Sequence, residues 1–233
     1  MKKTLLFLAT GIGLAALSAA ASTVITTANN GTSYQVPALS GFATSGDEMA
    51  GMDAFVTFSD GSIQHANWVA TGLATGAASV PGFFTISETG DTFIDNAWTL
   101  RNLNSSLSIT HFTLFGAGDD TVFDRSLGGA MGTEGSALGK DFAMAGGNYL
   151  ITATYSDILN LTGLAPVGDE YVQLDVDFDR STPFGPNASA SFSQDTDSAA
   201  VHGTITPVPD SGATAMLFGL GLTGLAALRR RLG

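Results

Sequence analysis

Short stretches in which apolar and polar residues alternate run through most of this 233-residue chain, and turn-forming residues separate them. The clearest alternation runs from Tyr171 to Asp179. A period of two places alternate side chains on opposite faces of a β-strand, so one face is expected to enter a core while the other meets water or cations. The apolar face would carry Val172, Leu174, Val176 and Phe178, and the opposite face Asp175, Asp177 and Asp179.

Other segments have the same strand pattern. Ala54–Ser59 and Ser62–Val69 flank Asp60-Gly61, a dipeptide typical of tight hairpin turns. The remaining predicted strands are Gly82–Ser87, Phe93–Leu100, Leu107–Phe115, Thr121–Phe123, Tyr149–Tyr155, Ala188–Phe192 and Val201–Ile205. Helical periodicity is nearly absent, and Ser156–Leu164 is the one segment in this region for which a short helix is considered.

Many short strands without sustained helical periodicity favour two packed sheets over a parallel α/β sheet. Residues 22–206 are therefore predicted to form one all-β exported domain, an antiparallel β-sandwich of jelly-roll type. The sequence contains no Cys, which excludes a disulfide framework, a thiolate metal site and a thiol nucleophile.

The strongly acidic composition of this domain limits the kinds of molecule that it is expected to bind. Between residues 22 and 206 there are four basic residues, Arg101, Arg125, Lys140 and Arg180, against twenty acidic ones. A phosphate backbone would be repelled from such a surface, so nucleic acid is not an expected partner.

Residues 1–21 have the layout of a secretory signal peptide. Lys2 and Lys3 precede an apolar run from Leu5 to Leu17, and small residues lead up to Ala21. The apolar run is shorter than the roughly 20 residues of a spanning helix, which favours cleavage between Ala21 and Ser22 over an uncleaved anchor. Export through the secretion machinery is the expectation.

Residues 207–233 form a third region. A Pro-containing segment precedes an uncharged apolar stretch at 213–228, and Arg229, Arg230 and Arg231 follow it. Sixteen residues of helix rise about 24 Å, close to the roughly 30 Å hydrocarbon core, so one transmembrane helix is predicted. The arginines are expected on the cytoplasmic side, which places residues 22–206 on the far side, in agreement with the signal peptide.

The segment before that helix carries a specific resemblance. Val208, Pro209, Asp210, Ser211 and Gly212, followed by the apolar stretch and the arginine cluster, resemble a VPDSG-CTERM sorting signal, a variant of the PEP-CTERM class. The resemblance implies a substrate of an exosortase, a membrane-embedded processing enzyme of Gram-negative bacteria that make exopolysaccharide. An anchor that is never cut is the alternative.

The acidic residues are also candidate calcium ligands. The segment from Asp175 does not fit an EF-hand, because its sixth and twelfth positions are Arg180 and Pro186 rather than Gly and Glu. Separate loop acids can still gather around one ion, and Asp169-Glu170 is one such pair. The candidate ligands are Asp119, Asp120, Asp124, Asp195 and Asp197. Solvated acidic loops without a cofactor are the expected arrangement, and a structural calcium ion is the alternative.

No catalytic residue is predicted. His65, His111 and His202 lack the spacing of a metal-binding motif, and no GxSxG sequence occurs in the domain. Paired carboxylates can hydrolyse glycosidic bonds, but no spacing here establishes the facing geometry. Trp68 and Trp98 can stack on sugars if exposed, although their apolar surroundings favour a place in the core.

These features predict a non-enzymatic protein of the cell surface or extracellular matrix, made as a membrane-anchored precursor. The expected role is structural or exopolysaccharide-associated. A carbohydrate-binding module with a defined sugar site is the alternative, which exposed aromatic side chains in one groove would favour.

Overall fold

The computed structural model describes residues 21–30, 32–39, 44–126, 139–162, 168–199 and 205–208. Nearly all of the predicted signal peptide, His202, the motif residues after Val208, the predicted helix at 213–228 and the arginine cluster lie outside the described residues. Within the described ranges, no helix has the length and apolar character needed to cross a membrane.

The described part of the chain contains sixteen β-strands. In chain order they are β1 (Ser22–Thr27), β2 (Ser33–Val36), β3 (Asp53–Phe58), β4 (Ile63–Asn67), β5 (Val69–Gly72), β6 (Thr75–Val80), β7 (Phe84–Thr89), β8 (Trp98–Asn102), β9 (Ile109–Phe115), β10 (Thr121–Asp124), β11 (Ala143–Met144), β12 (Leu150–Leu161), β13 (Glu170–Phe178), β14 (Ser189–Ser193), β15 (Asp195–Ser198) and β16 (Thr206–Val208).

These strands form two sheets, which confirms the all-β, two-sheet prediction. The larger sheet has ten strands and is curled into a half-barrel; its main path is β16-β2-β12-β13-β9-β3-β4, with β1, β10 and β15 attached beside it. The smaller sheet has six strands in the order β11-β14-β8-β7-β6-β5. Most neighbours are antiparallel, but β1 and β2 both run parallel to β12.

The predicted hairpin around Asp60-Gly61 is confirmed. β3 and β4 pair antiparallel, and the amide of Gly61 donates a hydrogen bond to the carbonyl of Phe58 at 2.9 Å. Gly61 has a φ of 85°, a left-handed conformation that glycine adopts without a steric penalty. The strand predicted over Phe93–Leu100 is only partly right, because β8 begins at Trp98.

The helix considered for Ser156–Leu164 is wrong, because β12 continues as a strand to Leu161. β13 pairs with β12 from Ile151 to Ile158, and β2 pairs with its end at Leu159–Leu161. These ladders supply the backbone hydrogen bonds that a helix would otherwise supply, so pairing with neighbouring strands outweighs local preference.

Side chains from both sheets build the main hydrophobic core. Trp68 and Trp98 belong to it, with ring centroids 5.3 Å apart and exposed fractions of 1% and 0%. Their Nε1 atoms donate to the carbonyls of Gly46 and Gln194, at 2.7 and 2.8 Å, so the buried indoles are satisfied. A second, smaller cluster comprises Val36, Leu39, Val122, Leu159, Leu161, Val172, Ala199 and Ile205.

Candidate functional site

Three acidic side chains converge where β10 lies between β13 and β15. Asp124 of β10 is the register partner of Glu170 on one side and of Asp195 on the other. Asp197 is two residues further along β15, opposite Val122. Direct partners in an antiparallel pair share a face, as do residues two apart, so Asp124, Glu170 and Asp197 project from the same side.

The carboxylate oxygens of these three residues lie close together and are almost inaccessible to solvent. One carboxylate oxygen from each of Asp124, Glu170 and Asp197 lies within 4.8 Å of those from the other two, and we call these residues the carboxylate cluster. Their exposed fractions are 1%, 1% and 3%, respectively. Because so little water reaches the cluster to screen the charges, ionised carboxylates there would repel one another more strongly than at the surface.

In the carboxylate cluster, Glu170 is the residue for which neither side-chain oxygen has a hydrogen-bond partner among the described residues. Burial raises the pKa of Glu170 well above its usual value, and neighbouring carboxylates raise it further. These neighbours are Asp124, Asp197, Asp169 and Asp195. A carboxyl group so placed tends either to stay protonated or to attract a cation.

Asp119 and Asp120, two of the candidate calcium ligands, instead support the backbone around β10. Asp119 accepts hydrogen bonds from the amide and Oγ1 of Thr121, at 3.1 and 2.8 Å. Burial raises the pKa of Asp119 to about 7, although the hydrogen bonds from Thr121 oppose the shift. Asp120 accepts a hydrogen bond from the amide of Ile205 at 2.6 Å.

Asp195, a third candidate ligand, lies beside the carboxylate cluster and has donors of its own. Oγ1 of Thr92 and the amide of Thr196 both donate to its Oδ1 atom at 3.0 Å. Burial raises the pKa of Asp195 to about 6, against the lowering effect of these hydrogen bonds. Its charge still acts on Glu170, whose pKa it helps to raise.

The structure thus brings together two of the five candidate ligands, Asp124 and Asp197, and adds Glu170. The interpretation of these acids as loop residues is wrong, because they lie in β10, β15 and β13. Spacing along the chain gives no sign of their meeting, since it depends on how three distant strands are aligned. The acidic pair Asp169-Glu170 was visible in the sequence, but nothing there distinguished Glu170 from solvated acids.

Gly139 closes one side of Asp124. A Cβ atom at position 139 would overlap the Asp124 side chain. The amide of Lys140 also donates to the carbonyl of Asp124 at 3.2 Å, so the backbone of these two residues lies against the end of β10. Glycine permits this close approach because it has no side chain.

The second half of β13 carries, on the other face of the strand, an acidic group with different partners. Asp175 accepts hydrogen bonds from Oγ1 of Thr113 and Nε2 of Gln173, both at 2.6 Å. His111 of β9 contacts two acids, with Nδ1 2.9 Å from Asp177 and Nε2 3.5 Å from Asp175. A network of donors therefore occupies this face of the strand, which we call the histidine network. The apolar face is buried as predicted at Val172, Leu174, Val176 and Phe178.

The histidine network shifts both partners toward their charged forms. Burial on its own lowers the pKa of His111, but hydrogen bonds to Asp175 and Asp177 outweigh it and raise the pKa above its usual value. Burial likewise acts to raise the pKa of Asp175, but hydrogen bonds from its neighbours lower it overall. The arrangement therefore favours an imidazolium ion beside a carboxylate.

The other singled-out side chains form no shared site in the described part of the chain. His65 lies 2.6 Å from Asp53, through Nε2 and Oδ1, and its ring stacks on Phe55 with centroids 4.5 Å apart. Trp68 and Trp98 are buried, so neither presents a face to a sugar.

The clefts on the described surface include a larger and a smaller one. The larger, of about 680 Å³, is lined partly by Ser59, Ser108, Thr110, His111, Asp177 and Arg180. The smaller, of about 260 Å³, is lined by residues that include Asn29, Asp157 and Tyr171. No member of the carboxylate cluster lines either cleft.

The start of the C-terminal region is held at the edge of the larger sheet. β16 pairs antiparallel with β2, so that Pro207 lies opposite Tyr34 and Val208 opposite Ser33. Because proline has no N–H group, an edge strand is where a sheet tolerates it. Val208, the first residue of the predicted sorting motif, therefore still belongs to the folded sheet.

Comparison with known protein families finds a match at the C-terminal region. A family model described as the VPDSG-CTERM motif matches residues 207–232. No curated protein and no solved structure matches the chain. The resemblance noted at Val208–Gly212 is thereby confirmed. A motif of this type implies export and processing by a sorting enzyme. Residues 207–232 carry a VPDSG-CTERM motif, and the chain is an exported substrate of a sorting system.

Proposed function

We propose that this chain is a non-enzymatic protein of the cell surface or extracellular matrix, processed by an exosortase-type enzyme and then retained as a structural or exopolysaccharide-associated component. The match of residues 207–232 to the VPDSG-CTERM motif carries the proposal. The strongly acidic domain favours association with neutral polymers or cation-bridged surfaces over association with anionic polymers.

The position of β16 bears on how processing occurs. Val208 pairs with Ser33, and the transmembrane helix predicted from the sequence begins at Ala213. The five residue steps from Val208 to Ala213 span at most about 18 Å when the chain is extended. The domain would therefore sit close to the membrane before processing. A strand of three residues at a sheet edge can detach at modest cost, which would free Val208 for an enzyme in the membrane.

Intact-mass measurement of the protein from its native host tests the processing step. The expected mass lacks the residues that follow a cut within Val208–Gly212, in addition to the signal peptide. An Asp210→Ala variant is expected to keep its C-terminal region, whereas the control Asp95→Ala changes an exposed acid outside the motif and should be processed normally. A wild-type mass that still includes Gly233 would refute the proposal.

The burial of the carboxylate cluster supports a non-enzymatic role. A glycosidase needs two carboxyl groups that reach the scissile bond from opposite sides of a substrate. Asp124 and Glu170 are each 1% exposed and do not line the two clefts described above. Incubation of the purified protein with polysaccharide from its host is expected to release no new reducing ends; their release would contradict this part of the proposal.

Sugar binding is the second candidate function, and the larger cleft is the observation that favours it. Hydroxyl, imidazole, carboxylate and guanidinium groups line this cleft and can hydrogen-bond a sugar. If the cleft binds sugars, an Arg180→Ala variant should lose signal on a glycan array while Arg101→Ala, a change on β8 of the other sheet, keeps it. Absence of any glycan signal from the wild-type protein would leave the structural role as the better account.

A further inference from the structure

The carboxylate cluster gathers three acidic side chains in a space that water scarcely reaches. Each charge loses hydration on burial, and the three charges repel one another. Two arrangements would relieve this: protonation of one or more carboxyl groups, or a cation bound between them.

The surroundings of Glu170 favour the cation. Protonation of Glu170 would give one of its oxygens a hydrogen to donate, but its other oxygen would then need a second proton, carried by Asp124 or Asp197, to receive a hydrogen bond within the cluster. Buried polar atoms without a hydrogen bond are rare in folded proteins, because the lost hydration is not replaced. A cation held by both oxygens of Glu170 would satisfy the whole group.

Basic side chains nearby are engaged elsewhere. Nε of Arg125 lies 2.8 Å from Oδ1 of Asp141, and Nζ of Lys140 lies 2.8 Å from Oδ1 of Asp95. These two residues are the sequence neighbours of Asp124 and Gly139. A small inorganic cation is therefore the better candidate for balancing its charge.

The ligand atoms identify the class of cation. All three groups are carboxylates, which are hard oxygen ligands, and the cluster contains neither imidazole nor thiolate, the ligands that favour zinc or copper. Calcium accepts irregular oxygen geometry and gives up its water readily, whereas magnesium demands near-octahedral geometry and keeps several waters. A site that is at most 3% exposed suits the ion that dehydrates more easily.

We propose that Asp124, Glu170 and Asp197 form a calcium-binding site that links β10, β13 and β15. The bound ion ties three strands that are far apart in sequence to one point. Among the described residues β15 is also the last strand before β16, and just after β15 the amide of Ala199 donates a hydrogen bond to the carbonyl of Asp120 at 2.8 Å. Calcium thus stabilises the part of the fold from which the sorting region leaves.

Thermal unfolding of the full chain, purified and stripped with a chelator, tests the site. At pH 7 and constant ionic strength, the melting temperature is expected to rise steadily with the logarithm of calcium concentration, because the ion binds the folded state alone. Titration calorimetry should give one ion per chain. Magnesium should raise the melting temperature much less.

A matched pair of variants distinguishes the effect of the carboxylate cluster from the effect of burying a glutamate anywhere in the fold. Glu170→Gln is expected to melt higher than wild type in chelator, because a neutral amide avoids the cost that burial imposes on the carboxyl group whether it is ionised or protonated, and to lose the response to calcium. Glu88→Gln alters a glutamate that is also 1% exposed but lies in β7 of the other sheet, and it should keep the response to calcium.

Gly139→Ala, which crowds Asp124 without changing the charge, should weaken the response to calcium. If Glu170→Gln does not fold, Asp197→Asn serves the same purpose.

Three results would overturn the proposal: a wild-type melting temperature that ignores calcium, a calcium response of equal size in Glu170→Gln, or a magnesium response as large as that of calcium. None of these results bears on the mass of the processed protein, so the site and the sorting of the chain are judged separately.

Discussion

β13 carries acidic side chains near both of its ends, and the two ends have opposite surroundings. At its start, Glu170 lies among other carboxylates, which raise its pKa together with burial. Five residues later, Asp175 lies among donors on β9 and on its own strand, and its pKa is lowered. The same chemical group on the same strand thus favours the neutral or cation-bound form at one end and the ionised form at the other. The neighbouring strands decide which state is stable.

The largest effect should come from neutralising one acid at each end. In chelator at pH 7, Glu170→Gln is expected to stabilise the fold by about 2 kcal/mol, because a neutral amide avoids the cost that burial and the neighbouring carboxylates impose on Glu170, whether it is ionised or protonated. Asp175→Asn is expected to destabilise it by about 2 kcal/mol, because a charged acceptor of several hydrogen bonds is lost. Urea unfolding curves measure both values. Changes of the same sign would mean that the two ends of β13 do not differ as described.

The next effect concerns Glu88, a buried acid outside the carboxylate cluster. Burial raises its pKa from 4.5 to about 8, although the Gly46 amide opposes the shift. Since the folded state binds this proton more tightly than the unfolded state, stability should fall as pH rises from about 4.5 to about 8. Glu88→Gln has no carboxyl group at this position and should not lose stability in this way. The difference between its free energy of unfolding and that of wild type, measured in urea, should therefore grow by about 2 kcal/mol between pH 5 and pH 8. An advantage independent of pH would show that Glu88 is ionised throughout this range.

A smaller effect should come from the histidine network. The pKa of His111 is raised above 6.5, so its contribution is complete below pH 6.5 and is lost as pH rises through the folded value. The pKa of Asp175 is lowered below 3.8, so its contribution is complete above pH 3.8 and is lost as pH falls through the folded value. His111→Gln should therefore lower the free energy of unfolding most, by about 1 kcal/mol, between pH 3.8 and pH 6.5, and by less at pH 8.

A histidine outside this network provides the control for that measurement. His65→Gln removes a contact to Asp53 in which the histidine side chain is 45% exposed. At pH 6 the free energy of unfolding, measured in urea, should fall less in this variant than in His111→Gln, because solvent screens the exposed contact. An equal loss of stability in the two variants would contradict the role given to the histidine network.

The smallest effect is expected for an acid at the surface. Asp95 pairs with Lys140 and its side chain is 80% exposed. Asp95→Asn should change the free energy of unfolding by less than about 0.5 kcal/mol, since exposed ion pairs are well screened. If Asp95→Asn lowered the free energy of unfolding as much as Asp175→Asn, burial would not explain the difference expected between these two acids.

Strands with clear alternation could be found from the sequence, and polar strands could not. β13 and the hairpin of β3 and β4 were predicted because their patterns are local. β15, with the sequence Asp195-Thr196-Asp197-Ser198, reads as a turn, yet all four residues are buried. It becomes a strand because β10 pairs with it along its length. The same holds for the polar β1 and β2, which pair in parallel with β12.

The sequence by itself determined that the chain is rich in β-strands and that its C-terminal region carries a sorting motif. Both conclusions rest on patterns between residues that are close in the chain, such as the alternation around Val176 and the run Val208–Gly212. Only the tertiary structure decided which of the many acids are buried together. Asp124, Glu170 and Asp197 come from three separate strands, and their meeting depends on a strand register that no local pattern specifies.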